Sequence, residues 1–260
     1  MKTKALIRKL AVRFPKRIAD SGDRVGLMTG KLKDETKTIV VCLDFDEEVM
    51  RIIEDKNIET VDLIITHHPF IYKSKHYVFK NDEIKKRLCE KVDNLGIPVY
   101  SMHTNFDSGR DGMNDALSEA LGLCDIRPLE TLAMARGGKL AEPMDIYEFA
   151  KVAARKLKVP YGLLTHSGKR MISSVAIVGG GGGSLFGYAM NEGYDLYISG
   201  DAPHHVRRSV VANGYNYLDL PHEIERIFIP QMKKILLEID SDLEVIDINH
   251  EQTPKIIKGL

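Results

Sequence analysis

Two adjacent histidines follow an apolar run in the stretch "LIITHHPFIYKS" (residues 63–74). Imidazole nitrogens serve as metal ligands or as proton carriers near neutral pH. Neighbours in a regular strand point to opposite faces, so His67 and His68 can converge on one site only where the strand becomes irregular. Because two imidazoles at the end of a buried strand are costly unless something uses them, we interpret the pair as metal ligands.

Further nitrogen and oxygen donors stand in short motifs later in the chain. "HTNFD" places Asp107 four residues after His103, and "HEIE" places Glu225 three residues after His222. One helical turn or one tight loop brings each such pair to one side. Mixed imidazole and carboxylate donors suit Zn, Mn, Fe or Co, and a carboxylate that bridges two ions would make the site dinuclear. The other candidate donors are Asp201, His204, His205 and Glu223.

The elements that must position these residues occur twice in the same order. "TIVVCL" and "VDLIIT" read as buried strands around the helical pattern "DFDEEVMRIIEDKN", which Asp44 or Asp46 would cap. "SVAIV", "GGGGGSLFGYAMNEG" and "DLYIS" repeat that strand, helix and strand. We interpret this as an internal duplication.

Aligning the two halves sets the paired histidines opposite Gly200 and Asp201, and sets His103 opposite His222. Alternating strands and helices predict an α/β fold with parallel sheets, whose ligand sites lie beyond the carboxyl ends of the strands. All these residues follow predicted strands. Between and beyond them, helices are predicted over residues 111–123, stopped by Gly122, and over residues 144–159.

Composition restricts the class of partner. The 260 residues are 43% apolar, and 37 basic residues balance 37 acidic ones, so net charge does not steer the chain to nucleic acid or membrane. The basic N-terminal stretch interrupts its apolar positions, and no apolar run approaches the ~18 residues of a membrane span. The three cysteines show no C-x-x-C spacing. We therefore expect a cytoplasmic protein.

Four stretches, "ITHHPF", "HTNFD", "GDAPHH" and "NGYNYLDLPHEIE", occur in this order and spacing. Together they resemble the Nif-three (Ngg-interacting factor three) family, whose members are also called GTP cyclohydrolase I type 2 homologues. The likeness runs from "DRVGLMTG" to "IFIPQMKKIL". It implies two intertwined α/β domains with a structural duplication and sheets flanked by helices, a homo-hexameric ring, and a dinuclear metal centre. We expect the first lobe to comprise residues 1–125 and 200–260, and the second residues 126–199.

Carried over motif by motif, the resemblance implies two divalent ions, Zn, Fe, Mn or Co, in each chain. Glu225 would bridge them. His103, near the ions, would be a catalytic residue that carries a proton or orients a water. The implied metal ligands are His67, His68, Asp107, His222 and Glu225.

The chain departs from the family pattern in three places. Pro221 stands where the family usually has glycine, and "SGDRVG" replaces an aromatic W-D-N segment. Many members place the glutamate four residues after the last histidine, where this chain has Arg226. Other members use the three-residue spacing, which gives Glu225, and Glu223 is the alternative.

The resemblance implies a metal-dependent hydrolase acting on a nucleotide or related small molecule. The alternative is a non-catalytic metal-binding or adaptor protein. A third hypothesis is dinucleotide binding, because "GGGGGSLFG" satisfies G-x-G-x-x-G after a strand. Five consecutive glycines satisfy that pattern almost unavoidably, and the equivalent acidic turn "DFDEE" would repel phosphate. We favour close backbone approach, or a mobile loop at the mouth of the site, as the role of the glycines.

Overall fold

A computed structural model describes residues 1–56, 58 and 60–257. The chain forms two compact units, each assembled from separate segments. Unit 1 comprises Met1–Arg110 and Phe228–His250, and unit 2 comprises Asp111–Ile227 and the residues from Glu251 onward. The two units are therefore intertwined along the chain.

The described helices and strands alternate through much of the chain. The helices are α1 (Thr3–Arg13), α2 (Glu47–Asp55), α3 (Lys75–Asn81), α4 (Glu83–Asn94), α5 (Thr104–Ser108), α6 (Met113–Leu121), α7 (Ile146–Lys156), α8 (Phe186–Asn191), α9 (His204–Ala212) and α10 (Phe228–Ile239). The strands are β1 (Gly26–Thr29), β2 (Thr38–Cys42), β3 (Leu63–Thr66), β4 (Val99–Ser101), β5 (Cys124–Pro128), β6 (Arg136–Asp145), β7 (Leu163–His166), β8 (Met171–Ile177), β9 (Leu196–Ser199), β10 (Asn216–Asp219) and β11 (Glu244–Asp247). Short 3-10 helices cover Lys16–Ile18, Gly183–Leu185 and His222–Ile227.

The sheet of unit 1 has the described strand order β1-β4-β3-β2-β11. Its neighbours β4, β3, β2 and β11 are parallel, and β1 closes one edge antiparallel to β4. Every residue of β2 and β3 is buried, as expected for strands covered on both faces. Val40 and Ile64 pack in one apolar cluster with Val49 of α2 and Leu88 of α4.

The sheet of unit 2 has the described order β5-β6-β8-β9-β10-β7. Strands β8, β9 and β10 are parallel, and β7 closes the edge antiparallel to β10. Ala176, Tyr197 and Tyr217 pack on one face with Ala189 of α8 and Val206 of α9. The set β8, β9, β10 and β7 therefore repeats β2, β3, β4 and β1, which confirms the predicted α/β fold and its duplication.

Two residues predicted to begin or end a helix do so in the structure. The Asp46 side chain accepts a hydrogen bond from the Val49 amide at 2.9 Å and caps α2. Gly122 ends α6 in the left-handed conformation, with φ of 77°, which glycine adopts without steric cost. No helix in the described ranges is both long and apolar enough to cross a membrane.

The boundaries between the units differ from the predicted residues 125 and 200. The structure divides the chain after Arg110 and after Ile227 instead. Strand β10 pairs in parallel with β9 from Tyr217 to Asp219, so residues 200–227 belong to the second sheet. The histidine motifs group this segment with the first lobe, but strand pairing decides the division.

Candidate metal centre

The paired histidines follow β3 at a point where regular pairing stops. The backbone amides of His67 and His68 both donate to the carbonyl oxygen of Leu43, each at 3.1 Å. One acceptor for two successive amides is incompatible with a regular parallel ladder, in which successive residues face opposite directions. The two rings consequently lie on one side, with centroids 4.9 Å apart. The irregular strand end required by the sequence argument is present.

A hydrogen bond donated by Nδ1 orients each of the two imidazole rings. His67 is fully buried, and its Nδ1 lies 2.9 Å from the carbonyl oxygen of Met102. Nδ1 of His68 lies 2.7 Å from Oδ2 of Asp44, the residue that follows β2 by two positions. Carbonyl and carboxylate oxygens only accept, so Nδ1 carries the proton in both rings. When such a ring is neutral, Nε2 carries a lone pair and is the nitrogen available to a metal ion.

His103 joins this cluster from the end of β4. Its Nδ1 lies 2.9 Å from Oδ1 of Asp23, and its ring centroid is 5.2 Å from that of His67. One ligand nitrogen from each of His67, His68 and His103 can be chosen so that all lie within 4.8 Å of one another. Three imidazoles this close can hold a transition-metal ion. The structure thus brings the proposed proton carrier beside two proposed ligands.

The Asp23 carboxylate is held ionised by its surroundings. Burial raises the pKa of Asp23, but hydrogen bonds from Thr104 and His103 outweigh burial and keep the pKa below its usual value. Both the backbone amide and the hydroxyl of Thr104 donate to Oδ2. Asp23 is therefore a fixed anion behind the His103 ring.

Asp107 lies in α5, one turn after His103, as the motif spacing predicts. It is 6% exposed, and its amide donates to the His103 carbonyl at 3.1 Å. Oδ1 of Asp107 is 3.6 Å from Nε2 of His67, which is too long for a hydrogen bond. Two ligands of a tetrahedral ion with ~2.1 Å bonds stand ~3.4 Å apart, so this spacing fits shared coordination.

His222 and Glu225 form a second cluster, in unit 2. Both lie in the 3-10 turn His222–Ile227 that follows β10. Nδ1 of His222 is 2.6 Å from Oδ2 of Asp201, and its Nε2 is 3.0 Å from Oε2 of Glu225. The hydrogen bond with Glu225, despite opposition from burial, and then the contact with Asp201 raise the pKa of His222 to about 9. The metal-free ring is therefore protonated at neutral pH.

Glu225, rather than Glu223, has the environment expected of a buried ligand. Glu225 is 3% exposed and lies against the glycine-rich loop after β8, where its Oε1 contacts Gly180. Glu223 is only half-buried. A carboxylate against the loop backbone opposes phosphate binding, so the geometry argues against dinucleotide recognition and supports close backbone approach.

Two of the candidate histidines lie outside these clusters. His204 and His205 form the first turn of α9 and are exposed. Their position after β9 satisfied the strand-end rule, but a helix begins there and points both side chains to solvent. The strand-end rule alone therefore does not identify a ligand.

The residues that orient the rings were only partly accessible to sequence reasoning. Asp44 follows a buried strand, the same signal that selects the histidines, but its position in the sequence also suits a helix cap. Asp23 lies in an irregular segment 80 residues before His103 and carries no periodic signal. Asp201 was a candidate donor, and the structure instead places it behind His222.

Comparisons with known proteins extend over almost the whole chain. Residues 1–254 match the sequence profile of Duf34/NIF3 (NGG1p interacting factor 3). A Lactococcus lactis subsp. lactis protein named GTP cyclohydrolase 1 type 2 homolog is 31% identical over 248 residues, covering 92% of this chain and 93% of the relative.

Solved structures share the fold over the same extent. A Bacillus cereus protein related to NIF3 gives a TM-score of 0.87 at 21% identity, with 99% of each chain covered. Reduced HcgD from Methanocaldococcus jannaschii gives a TM-score of 0.79 at 28% identity, covering 95% of this chain and 97% of that one. The profile match over residues 1–254 includes both side-chain clusters.

Proposed function

The chain belongs to the Duf34/NIF3 family, as its four motifs indicated, and on that premise we propose that it is a hydrolase dependent on two divalent metal ions. The observation that carries the proposal is shared by four histidines. In each of them Nδ1 makes a hydrogen bond to a carbonyl or carboxylate oxygen; the four are His67, His68, His103 and His222. Metal-binding histidines characteristically make this second hydrogen bond, which fixes the ring and increases the basicity of the other nitrogen.

The donor set fits two ions better than one. His67, His68 and Asp107 supply one group of ligands, and His222 and Glu225 supply the other. Glu225 has two oxygens and is the proposed bridging ligand. Nitrogen and carboxylate donors without thiolate suit Zn, Fe, Mn or Co. The five donor residues exceed the four ligands that a tetrahedral single-ion site uses.

Bound ions would lower the pKa of a water molecule and polarise the group under attack. The chain's own contribution is orientation and proton transfer. His103 accepts a proton at Nε2, while Asp23 holds its Nδ1–H and stabilises the imidazolium that results. Asp44 and Asp201 hold the rings of His68 and His222 in the same manner.

The substrate we propose is a nucleotide or related small molecule. The support is the name GTP cyclohydrolase 1 type 2 homolog, carried by relatives such as the one from Lactococcus lactis. A second candidate function is that of a non-catalytic metal-binding adaptor, which the family description as an NGG1p interacting factor favours. A hydrolase keeps an exchangeable position at the metal, whereas an adaptor can have a closed shell.

We also propose a homo-hexamer working in the cytoplasm, without membrane or nucleic-acid partners. The family resemblance supports the hexamer, and three widely spaced cysteines without a C-x-x-C motif suit a reducing compartment. Light scattering after size-exclusion chromatography tests the assembly. A monomer or dimer at micromolar concentration would contradict it.

Hydrolysis is tested by a screen of nucleoside triphosphates, cyclic nucleotides and simple phosphoesters. Protein loaded with Zn²⁺, Mn²⁺, Fe²⁺ or Co²⁺ is compared with protein stripped by chelator. The proposal predicts turnover that disappears on stripping and returns with metal. Metal-loaded protein that turns over none of them, and whose Co²⁺ spectrum does not respond to azide, would support the adaptor instead.

A further inference from the structure

The glycine-rich loop Gly179–Gly183 is held by hydrogen bonds at both ends. The amide of Gly179 donates to Oδ1 of Asn114 at 2.7 Å, and Asn114 is fully buried in α6. The hydroxyl of Tyr197, also fully buried, donates to the carbonyl of Gly182 at 2.8 Å. A loop anchored by two buried side chains is a fixed surface.

Gly180 presents that surface to the second cluster. Its carbonyl accepts a hydrogen bond from the Gly200 amide at 2.6 Å, and its φ is +64°. A Cβ atom at Gly180 would overlap Oε1 of Glu225, approach its Cδ to 3.0 Å, and approach Cε1 of His222 to 3.2 Å. Real Cβ atoms essentially never approach another heavy atom as closely as this one would approach Oε1, so only glycine is compatible with this carboxylate position.

We propose that Gly180 is a positioning residue for the Glu225 carboxylate. The absent side chain leaves the space in which the carboxylate lies beside His222, and the anchored backbone limits its movement away from that ring. This inference rests on the proposed function, because Glu225 is assigned there to the ions. It extends that function by giving the five-glycine run a role that neither phosphate binding nor mobility supplies.

The change Gly180→Ala is expected to move the carboxylate rather than to break the fold. Oε1 is the far end of a side chain with several rotatable bonds, whereas the loop backbone is anchored. The added methyl group therefore displaces the carboxylate, whose other oxygen, Oε2, lies 3.0 Å from Nε2 of His222. Loss of a group that orients a metal ligand typically lowers metal affinity by roughly 10–100-fold. We expect Zn²⁺ affinity to fall within that range.

Two alanine variants provide matched controls. Gly181 is in the same loop, and a Cβ there meets nothing within 4 Å. Gly193 has φ of +81° and likewise meets nothing within 4 Å, so Gly193→Ala carries the backbone strain without the overlap. Zn²⁺ affinity is measured by competition with a chromophoric chelator, and the ligand field by the absorption spectrum of Co²⁺-loaded protein. Only Gly180→Ala should change both.

The substitution Glu225→Asp provides a rescue test, because it withdraws the carboxylate by one methylene group. Alone it should weaken Zn²⁺ binding. Combined with Gly180→Ala it should weaken binding at least several-fold less than the product of the two single effects, since the shorter side chain no longer meets the methyl group. Multiplicative effects would show that the two residues act independently and would overturn the inference.

If Gly180→Ala fails to fold, the pair Gly180→Ala and Glu225→Ala decides the question. Removing the carboxylate removes the overlap, so the double variant should fold with a thermal midpoint near that of Glu225→Ala. An unfolded double variant would overturn the inference. If the wild-type protein retains no Zn²⁺, both the proposed function and this inference are overturned. If the wild-type protein binds Zn²⁺ and Gly180→Ala binds it with the same affinity, only this inference is overturned.

Discussion

The substitution Asp23→Asn should destabilise the fold, because it disrupts the hydrogen bonds of one buried carboxylate. The Asp23 side chain is 4% exposed. Oδ1 accepts from Nδ1 of His103 at 2.9 Å, and Oδ2 accepts from the amide of Thr104 at 3.2 Å and from its hydroxyl. An asparagine keeps one acceptor oxygen but turns an NH₂ group toward donors on the other side.

The expected loss of stability combines two effects. Charge-assisted hydrogen bonds contribute about 1.5–3 kcal/mol, and a buried donor left without its acceptor costs about 1–3 kcal/mol. From these two effects we expect the free energy of unfolding at pH 7 to fall by about 3–5 kcal/mol. This is a large fraction of the stability of a typical domain.

The loss should depend on pH with a definite sign. The pKa of Asp23 is lower in the folded chain than its usual value, so the ionised carboxylate stabilises the fold above the unfolded pKa of ~3.9. That stabilisation is lost as the pH falls through the folded pKa. A protonated aspartic acid resembles asparagine in its hydrogen bonding, so the difference between wild type and variant should shrink below about pH 4.

Urea unfolding followed by circular dichroism at pH 7 and pH 3.5 measures both quantities. Asp44→Asn is the control, because Asp44 orients a histidine in the same way but is 46% exposed and its contact is screened by water. Its effect should stay below about 1 kcal/mol. An Asp23→Asn variant with an unchanged midpoint at pH 7, or an equal loss at both pH values, would refute the reasoning.

Three further changes test the roles assigned to single residues. His103→Ala should retain both ions while any hydrolysis slows by roughly 10²-fold or more, and loss of an ion would make His103 a ligand. Glu225→Gln should lower metal content more than Glu223→Gln, because an amide cannot replace the second anionic oxygen; equal losses would mean that the wrong glutamate was chosen. In metal-free protein the hydrogen bond with Glu225, and then the contact with Asp201, raise the pKa of His222 to about 9, above its unfolded value of ~6.5. These interactions stabilise the fold fully below pH 6.5, and the stabilisation is lost as the pH rises through 9. Melting temperature should therefore fall between pH 6.5 and 9 and should fall less in Glu225→Gln; identical profiles would contradict this.

Local sequence signals were sufficient for the strands that carry the site. A continuous apolar run ending in two histidines predicts a buried strand with polar residues beyond its carboxyl end, and β3 with His67 and His68 is that arrangement. The duplication was visible because both halves use the same sequence of elements. These features depend on residues close together in the chain, so periodicity detects them.

Contacts between distant residues were not accessible in this way. Asp23 meets His103 across 80 residues, and its segment has neither helical nor strand period. The unit boundary was misplaced because the pairing of β10 with β9 is a tertiary choice that a histidine motif does not specify. For His204 and His205 a local signal is misleading. They follow β9, as the strand-end rule requires, but the helix that begins there exposes both side chains.

The central claim, that two clusters of histidine and carboxylate hold two divalent ions, is tested most directly by metal stoichiometry. Protein purified with supplementary Zn²⁺, Mn²⁺, Fe²⁺ or Co²⁺ is dialysed and analysed by elemental mass spectrometry. His67→Ala and His222→Ala are compared with His204→Ala, an exposed histidine outside both clusters. The account predicts two ions per chain in wild type and His204→Ala, and fewer in the other two variants. No more than trace metal in the wild type, or equal content in all three variants, would contradict it.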